Sequence, residues 1–255
     1  ALNELAWDEE TGYFGYTEYD ESGNVKGIMR TADGENFNKG MDGVYPIVAG
    51  AVEGERKQRI IEHIKNPKEM WSNAGISAVD MSASYYFDDG YWNGNVWMSH
   101  QWFIWKTMLD NGEADFAFDI AKLALDMWKE ETDFTYNTYE CFGIATRRGG
   151  WFHNFGGLSA PICIWANAYF KPQTVTTGFD VWTDYQKTTD TSAEIKFKYF
   201  GNCDKYTMVV TLSDKAQYTA YLDGKEISFN ERNKGSLEFT FKKDVKGGVL
   251  EIKEK

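Results

Sequence analysis

The first two-thirds of the chain space their apolar residues for helices. From Gly43 an apolar run, VYPIVAGAV, leads into ERKQRIIEHIKNP, which puts Ile60, Ile61 and Ile64 on one face until Pro67 stops it. Residues 95–109 (NVWMSHQWFIWKTML) are apolar nearly all round and end at Asn111-Gly112, with Asn95 suited to the N-cap. Residues 113–129 line up Phe116, Ile120, Leu123, Ala124 and Met127 with acids opposite. Residues 158–170 (LSAPICIWANAYF) predict a further buried helix, with Pro161 near its first turn.

Elsewhere the period differs. Residues 1–40 read as turns joining short aromatic strands, with one candidate hairpin. So loop-rich a start predicts that further chain precedes residue 1. After residue 180 the runs AEIKFKYF, KYTMVVTLS, QYTAYLDGKEISF, SLEFTFKK and GGVLEIKEK alternate, with a hairpin signal at Asp223-Gly224. These predict a small antiparallel β-sandwich. The fold class expected is mainly α with a β domain. Its boundaries are 1–175 for a helical toroid whose loops converge on one face, and 176–255 for the sandwich.

Composition narrows the partners. Net charge is -12, which argues against nucleic acid, since no basic stripe offsets the repulsion of phosphates. Residues 1–175 hold 14 Lys+Arg against 26 Asp+Glu and nine of the ten tryptophans. Acids and flat rings together suit a neutral, hydroxyl-rich ligand such as a sugar. No run approaches the roughly 20 apolar residues that span a bilayer. No signal peptide is visible at the start, and the compartment stays open. Cys141, Cys163 and Cys203 show no metal or redox spacing and read as structural thiols.

The chemistry gathers in residues 132–161, TDFTYNTYECFGIATRRGGWFHNFGGLSAP, read as a long loop lining a cleft. One carboxylate, Glu140, stands there among aromatics, either as a structural hydrogen-bond acceptor or as a catalytic group. Arg147 and Arg148 are expected to pair with Asp or Glu in the same loop. Tyr91-Trp92-Asn93-Gly94-Asn95-Val96-Trp97 presents a helix start to the same face. His153 suits a sugar hydroxyl, whereas His63 and His100 read as core histidines. Neither His100 nor His153 has a second ligand at helical spacing, so no metal or cofactor is expected. Nucleophile-elbow, phosphate-loop and dinucleotide motifs are absent.

Five pieces, WDEETGYF, MDGVYPIVAG, MWSNAGISAVD, GYWNGNVWMSHQWFIW and TYNTYECFG followed by GGWFHNFGGLSAP, resemble in order the C-terminal half of helical-toroid glycoside hydrolases. That clan holds family 63 α-glucosidases, bacterial mannosylglycerate hydrolases and, more distantly, trehalases. The likeness covers about residues 5–170 and implies a partial (α/α)6 toroid, with an accessory β module behind it. It further implies an inverting mechanism in which Glu140 falls on the general base and an upstream Asp, unmatched here, is the acid. Asp42 aligns with a different, structural piece. Asn93 replaces the family's Arg, and Asn154-Phe155-Gly156-Gly157 replaces N-F-S-W, so the sugar wall differs.

The expected function is therefore an inverting glycosidase, like an α-glucosidase, trehalase or mannosylglycerate hydrolase, acting on an oligosaccharide or glycoside. Glu140 is its base, and Tyr91, Trp92, Asn93, Trp97, Trp151 and His153 line the sugar site. The acid would come from the missing N-terminal half of the toroid, in cis or in trans. The alternatives are a noncatalytic carbohydrate-binding or scaffold protein of the same fold, and a purely structural helical domain with Glu140 in an ion pair.

Overall fold

The computed structural model describes residues 1–255. In chain order the elements begin with helix α1 (Leu2–Leu5) and strands β1 (Trp7–Asp8), β2 (Tyr13–Phe14), β3 (Thr17–Tyr19) and β4 (Val25–Ile28). Then come α2 (Met41–Val44), a tight helical turn at Tyr45–Ile47, α3 (Gly54–Lys65), β5 (Trp71–Ser72) and β6 (Gly75–Ile76). Next are α4 (Met98–Asp110), α5 (Ala114–Thr135), β7 (Tyr139–Phe142), β8 (Gly149–His153) and α6 (Gly156–Phe170). Strands β9 (Thr174–Thr176), β10 (Val181–Thr188), β11 (Ser192–Tyr199), β12 (Lys205–Thr211) and β13 (Tyr218–Leu222) follow. The last are β14 (Lys225–Ile227), β15 (Asn230–Asn233), β16 (Ser236–Lys242) and β17 (Gly247–Glu254).

The expected fold class, mainly α with a partial (α/α)6 toroid and a small antiparallel β-sandwich, is corrected. Helix makes up 29% of the chain, in six helices, and strand 32%, spread over many small sheets. Connecting segments satisfy their backbone N–H and C=O groups by pairing as two-stranded ladders, β1 with β2, β3 with β4, β5 with β6 and β7 with β8. The last of these lies within residues 132–161, so the expected loop is a hairpin. Helix bounds also move: α4 begins three residues after Asn95, and α5 runs on to Thr135.

Two compact units form. The first holds Ala1–Phe103 and Asp126–Ser159, the second Ile104–Leu125 and Ala160–Lys255. In the first, Ile60, Ile61 and Ile64 of α3 are buried as their spacing requires. In the second, a five-stranded sheet (β10-β11-β17-β13-β14) and a four-stranded one (β15-β16-β12-β9) share one apolar cluster. Alternation fills it: Ile195, Phe197 and Tyr199 point inward while Glu194, Lys196 and Lys198 face out. Asp223 and Gly224 both take positive φ, 49° and 79°, as a tight two-residue hairpin turn demands.

Candidate functional site

Glu140 rides on the β7–β8 hairpin where its ladder is irregular. Tyr139 pairs with His153 and Cys141 with Gly150, so Glu140 alone stands opposite both Trp151 and Phe152. Such a bulge re-aims the side chains around it. Trp151 takes a φ of 63°, a conformation that costs an L residue roughly 1–2 kcal/mol. In return its ring meets that of Tyr91, with centroids 4.7 Å apart at 72°.

The Glu140 side chain is buried, at 6% exposure. Its Oε1 accepts a hydrogen bond from the Tyr91 hydroxyl, and its Oε2 is buried without a partner. The bond to Glu140 pushes the Tyr91 phenol up to about 12, because the proton it donates is hard to remove. Tyr91 is in turn wedged edge-on against Trp92 (5.0 Å) and Trp97 (4.9 Å), and receives the Trp97 indole N–H on its carbonyl at 3.0 Å. Trp92 and Trp97 stack 4.6 Å apart, within 6° of parallel. Residues carried by one loop and one hairpin are thus locked around a single carboxylate.

The loop itself is built from short turns. Gly90 N–H donates to Phe87 O, Phe87 N–H to Asn93 O and Asn95 N–H to Gly90 O. Asn95 is not an N-cap. Its amide donates to Cys141 Sγ at 3.3 Å, and the adjoining Val96 exchanges two backbone hydrogen bonds with Phe142. This stitches the Tyr91 loop to the strand of Glu140. Cys141 is buried with Ala78 and Trp97, and burial pushes its thiol up to about 12, in keeping with a structural residue.

The two arginines hold the hairpin from behind. Arg148 Nε and Nη2 donate to Glu131 at 2.6 and 3.1 Å, and Gly149 N–H reaches the same carboxylate at 2.9 Å. Arg147 donates to Asn73 O and to Glu130 Oε2, the latter at 3.2 Å. Both therefore pair with acids, but with acids of α5 that precede residues 132–161 and not with any within that stretch.

A cavity of about 470 Å³ is lined by Tyr16, Asp42, Tyr85, Trp92, Asn93 and His100 among others. Glu140 is not part of its wall. A second, of about 320 Å³, is bordered by Asp89, Asn95, Gly150 and Trp151. Of the residues singled out in the sequence, Tyr91, Trp92, Trp97 and Trp151 come together with Glu140. Asn93 faces the larger cavity, its amide held by Tyr85 O at 2.7 Å. His153 is exposed, its backbone opposite Tyr139. Sequence reasoning missed Glu131 and the pairing of Asp42 with Tyr16, because each partner lies many positions away and no local pattern marks it.

A family model described as "Mannosylglycerate hydrolase MGH1-like glycoside hydrolase domain" matches residues 1–146. Among solved structures, an uncharacterized conserved protein from Thermus thermophilus is 20% identical with a TM-score of 0.50, covering 63% of this chain and 37% of that one. The family 63 mannosylglycerate hydrolase of the same organism, solved with Tris and D-glycerate, is 21% identical with a TM-score of 0.50, covering 63% and 35%. Neutral trehalase Nth1 from Saccharomyces cerevisiae is 17% identical with a TM-score of 0.48, covering 65% and 28%. This chain thus spans little more than a third of the first two. No curated protein matches. The family match takes in more than half of the sequence, and the chain belongs to the mannosylglycerate hydrolase MGH1-like glycoside hydrolases.

Proposed function

We propose that residues 1–175 carry the water-activating half of an inverting glycosidase site, with Glu140 as general base, and that 176–255 serve as an accessory β part. One observation carries the reading: Tyr91 fixes Glu140 through Oε1, while the second carboxylate oxygen is buried and unpaired among aromatics. Such an oxygen can take a proton from a water aimed at the anomeric carbon. As the water oxygen bonds to that carbon, the glycosidic C–O bond breaks. The leaving oxygen is protonated by a carboxylic acid on the other face of the ring, roughly 6.5–9.5 Å from the base. No residue of this chain is assigned that acid; it belongs to a segment outside residues 1–255, in cis or in trans. Tyr91, Trp92, Asn93, Trp97, Trp151 and His153 form the sugar wall. The substrate class is a neutral glycoside or a mannosylglycerate-like conjugate.

With the acid-bearing segment present, Glu140→Gln should lower turnover of such a glycoside by about 10³-fold or more with little change in sugar affinity. The first-formed sugar should carry the inverted anomeric configuration, read by proton NMR. Turnover close to wild type in Glu140→Gln refutes the assignment.

The burial of Glu140 and its place outside the wall of the larger cavity favour a second reading, a sugar-binding member of the family without turnover. That reading expects saturable sugar binding and no hydrolysis even when the acid-bearing segment is supplied.

A further inference from the structure

We propose that the outward face of the five-stranded sheet in the second unit, at the rings of Trp182, Tyr185 and Phe200, is a docking surface for a strand of neutral polysaccharide. The choice of a glycan rests on the glycosidase reading above; the three rings and the face that carries them do not.

A defect in the ladder gathers the rings. Ile195, Phe197 and Tyr199 of β11 point into the apolar cluster, so Lys196 and Lys198 point away from it. On β10, Trp182 stands opposite Lys198 and Tyr185 opposite Lys196. Side chains directly opposite one another share a face, so both rings lie on the outward one. In a regular strand, residues three positions apart would point to opposite faces. The bulge between Thr183 and Tyr185 takes up Asp184 as an extra residue and brings both rings to one side, roughly 7 Å apart along the sheet. Phe200 meets Trp182 edge-on at 5.3 Å and steadies it.

The rings are uncovered: Trp182 is 65% exposed, Phe200 61% and Tyr185 47%. At roughly 150–250 Å² per ring, they leave on the order of 300 Å² open, the size at which an exposed apolar patch marks a binding site. Another β-strand is a poor occupant. β10 lies at the edge of its sheet, but the bulge and the charges of Asp184 and Lys187 blunt that edge against strand addition. The edge is guarded while the face beside it stays open, so the occupant uses the face.

The polar groups among the rings name its chemistry. Lys198 Nζ and Asp184 Oδ2 pair at 2.8 Å, and both remain partly exposed. A donor and an acceptor side by side match neighbouring hydroxyls, which both donate and accept, while the C–H faces of pyranoses cover the rings. Charge nearly cancels. Asp184 answers Lys198, and Glu194 stands opposite Lys187, which leaves Lys196 as the surplus cation. With a net charge of -12 on the whole chain, a polyanion gains little from it. Each ring on so open a face makes a modest contact, and affinity comes from several sugar residues engaged at once.

The test is native electrophoresis of the whole chain through gels holding amylose, a mixed-linkage β-glucan or an α-mannan, with polygalacturonate as the anionic probe. At least one neutral polysaccharide should slow migration, and polygalacturonate should not. Trp182→Ala and Tyr185→Ala should each raise the concentration needed for half-retardation about three- to tenfold, with unchanged circular dichroism. Three results overturn the surface: no retardation by any neutral polysaccharide, retardation indifferent to both variants, or stronger retardation by polygalacturonate. So does a wild-type dimer that Trp182→Ala converts to a monomer in light scattering, which would make the patch a contact between copies. The two readings fail separately. Lost turnover in Glu140→Gln with unchanged retardation in Trp182→Ala keeps the base and removes the surface; the converse keeps the surface and removes the base.

Discussion

Glu131, near the end of α5, grips Arg148 with both of its carboxylate oxygens, Nε at 2.6 Å and Nη2 at 3.1 Å, although Arg148 stands 17 positions further on. The Arg148 guanidinium also lies 4.5 Å from the Phe134 ring centre. Glu131 is only 2% exposed, so it is an anion kept inside by its partners. The pair ties the helix to the β7–β8 hairpin and so sets where Glu140 stands. Glu131→Gln removes the charge but keeps an acceptor, and should cost about 2 kcal/mol of stability. The bond from Arg148 holds the Glu131 carboxyl below its ordinary range, helped by Gly149 N–H. A depressed carboxylate stabilises the fold above its unfolded pKa and loses that contribution as pH falls through the folded one. Wild type should therefore lose stability on acidification below about pH 4.5, and Glu131→Gln should lose less over the same range. Chemical denaturation at stepped pH measures both. Parallel pH curves for the two proteins would show that the clasp contributes nothing.

Tyr91 is the only donor to Glu140, and its hydroxyl can be deleted without touching the ring packing. Tyr91→Phe keeps the edge-on contacts to Trp92, Trp97 and Trp151 but leaves both Glu140 oxygens unpaired. With the acid-bearing segment present, glycoside turnover should fall by roughly 10- to 100-fold, since the base is no longer held in one orientation. The Michaelis constant should move far less than the turnover number. Equal changes in both would mean that Tyr91 acts on sugar binding alone and does not position the base.

What can be read from the residues, and what cannot, follows from the range of each interaction. The sheets after residue 180 are legible because alternation is local: Ile195, Phe197 and Tyr199 bury while their neighbours do not. Glu140 is legible as a lone acid among aromatics. Its environment is not, because Tyr91 lies 49 positions away. The hairpin at residues 139–153 reads as loop for a definite reason. Trp151, Phe152 and His153 are all exposed in succession, so β8 lacks the alternation by which strands are recognised. Asn95 misleads in the same way. It has a capping side chain, but tertiary pairing of Val96 with Phe142 delays the helix to Met98, and the amide is used on Cys141.

Gly94 gives the loop motif G-Y-W-N-G a steric explanation. A Cβ placed there would stand 1.8 Å from the Phe87 carbonyl oxygen and 2.9 Å from its carbon, both backbone atoms that cannot step aside. The turn that sets Tyr91 against Glu140 closes only with a hydrogen at this position. Gly94→Ala should destabilise the first unit by about 1–3 kcal/mol, as overpacking does, and should redden the tryptophan emission as Trp92 and Trp97 separate. A melting curve and emission spectrum matching wild type would refute the close approach.

Asp110, at the end of α4 in the second unit, is a buried acid of a different kind. It accepts Phe179 N–H at 2.7 Å and Asp180 N–H at 3.1 Å. Burial nonetheless outweighs these bonds and pushes its carboxyl up to about 7, with the charge of Asp180 adding to the rise and that of Lys106 opposing it. The direction fixes the sign. In the unfolded chain the group titrates near its ordinary value of about 3.9, so between there and pH 7 the folded form binds more protons. Its contribution to stability is whole below about pH 4 and is lost as pH rises through 7. The loss is bounded by about 4 kcal/mol, three units at 1.36 kcal/mol each. Asp110→Asn stays neutral throughout and keeps an acceptor for one of the two N–H groups. The difference in unfolding free energy between variant and wild type should shift in favour of the variant as pH is raised from about 4 to about 7, with its midpoint at about pH 5.5, and level off above about pH 7. A difference constant over that interval would mean that Asp110 is already ionised in the folded chain at low pH, and that its two backbone donors outweigh its burial.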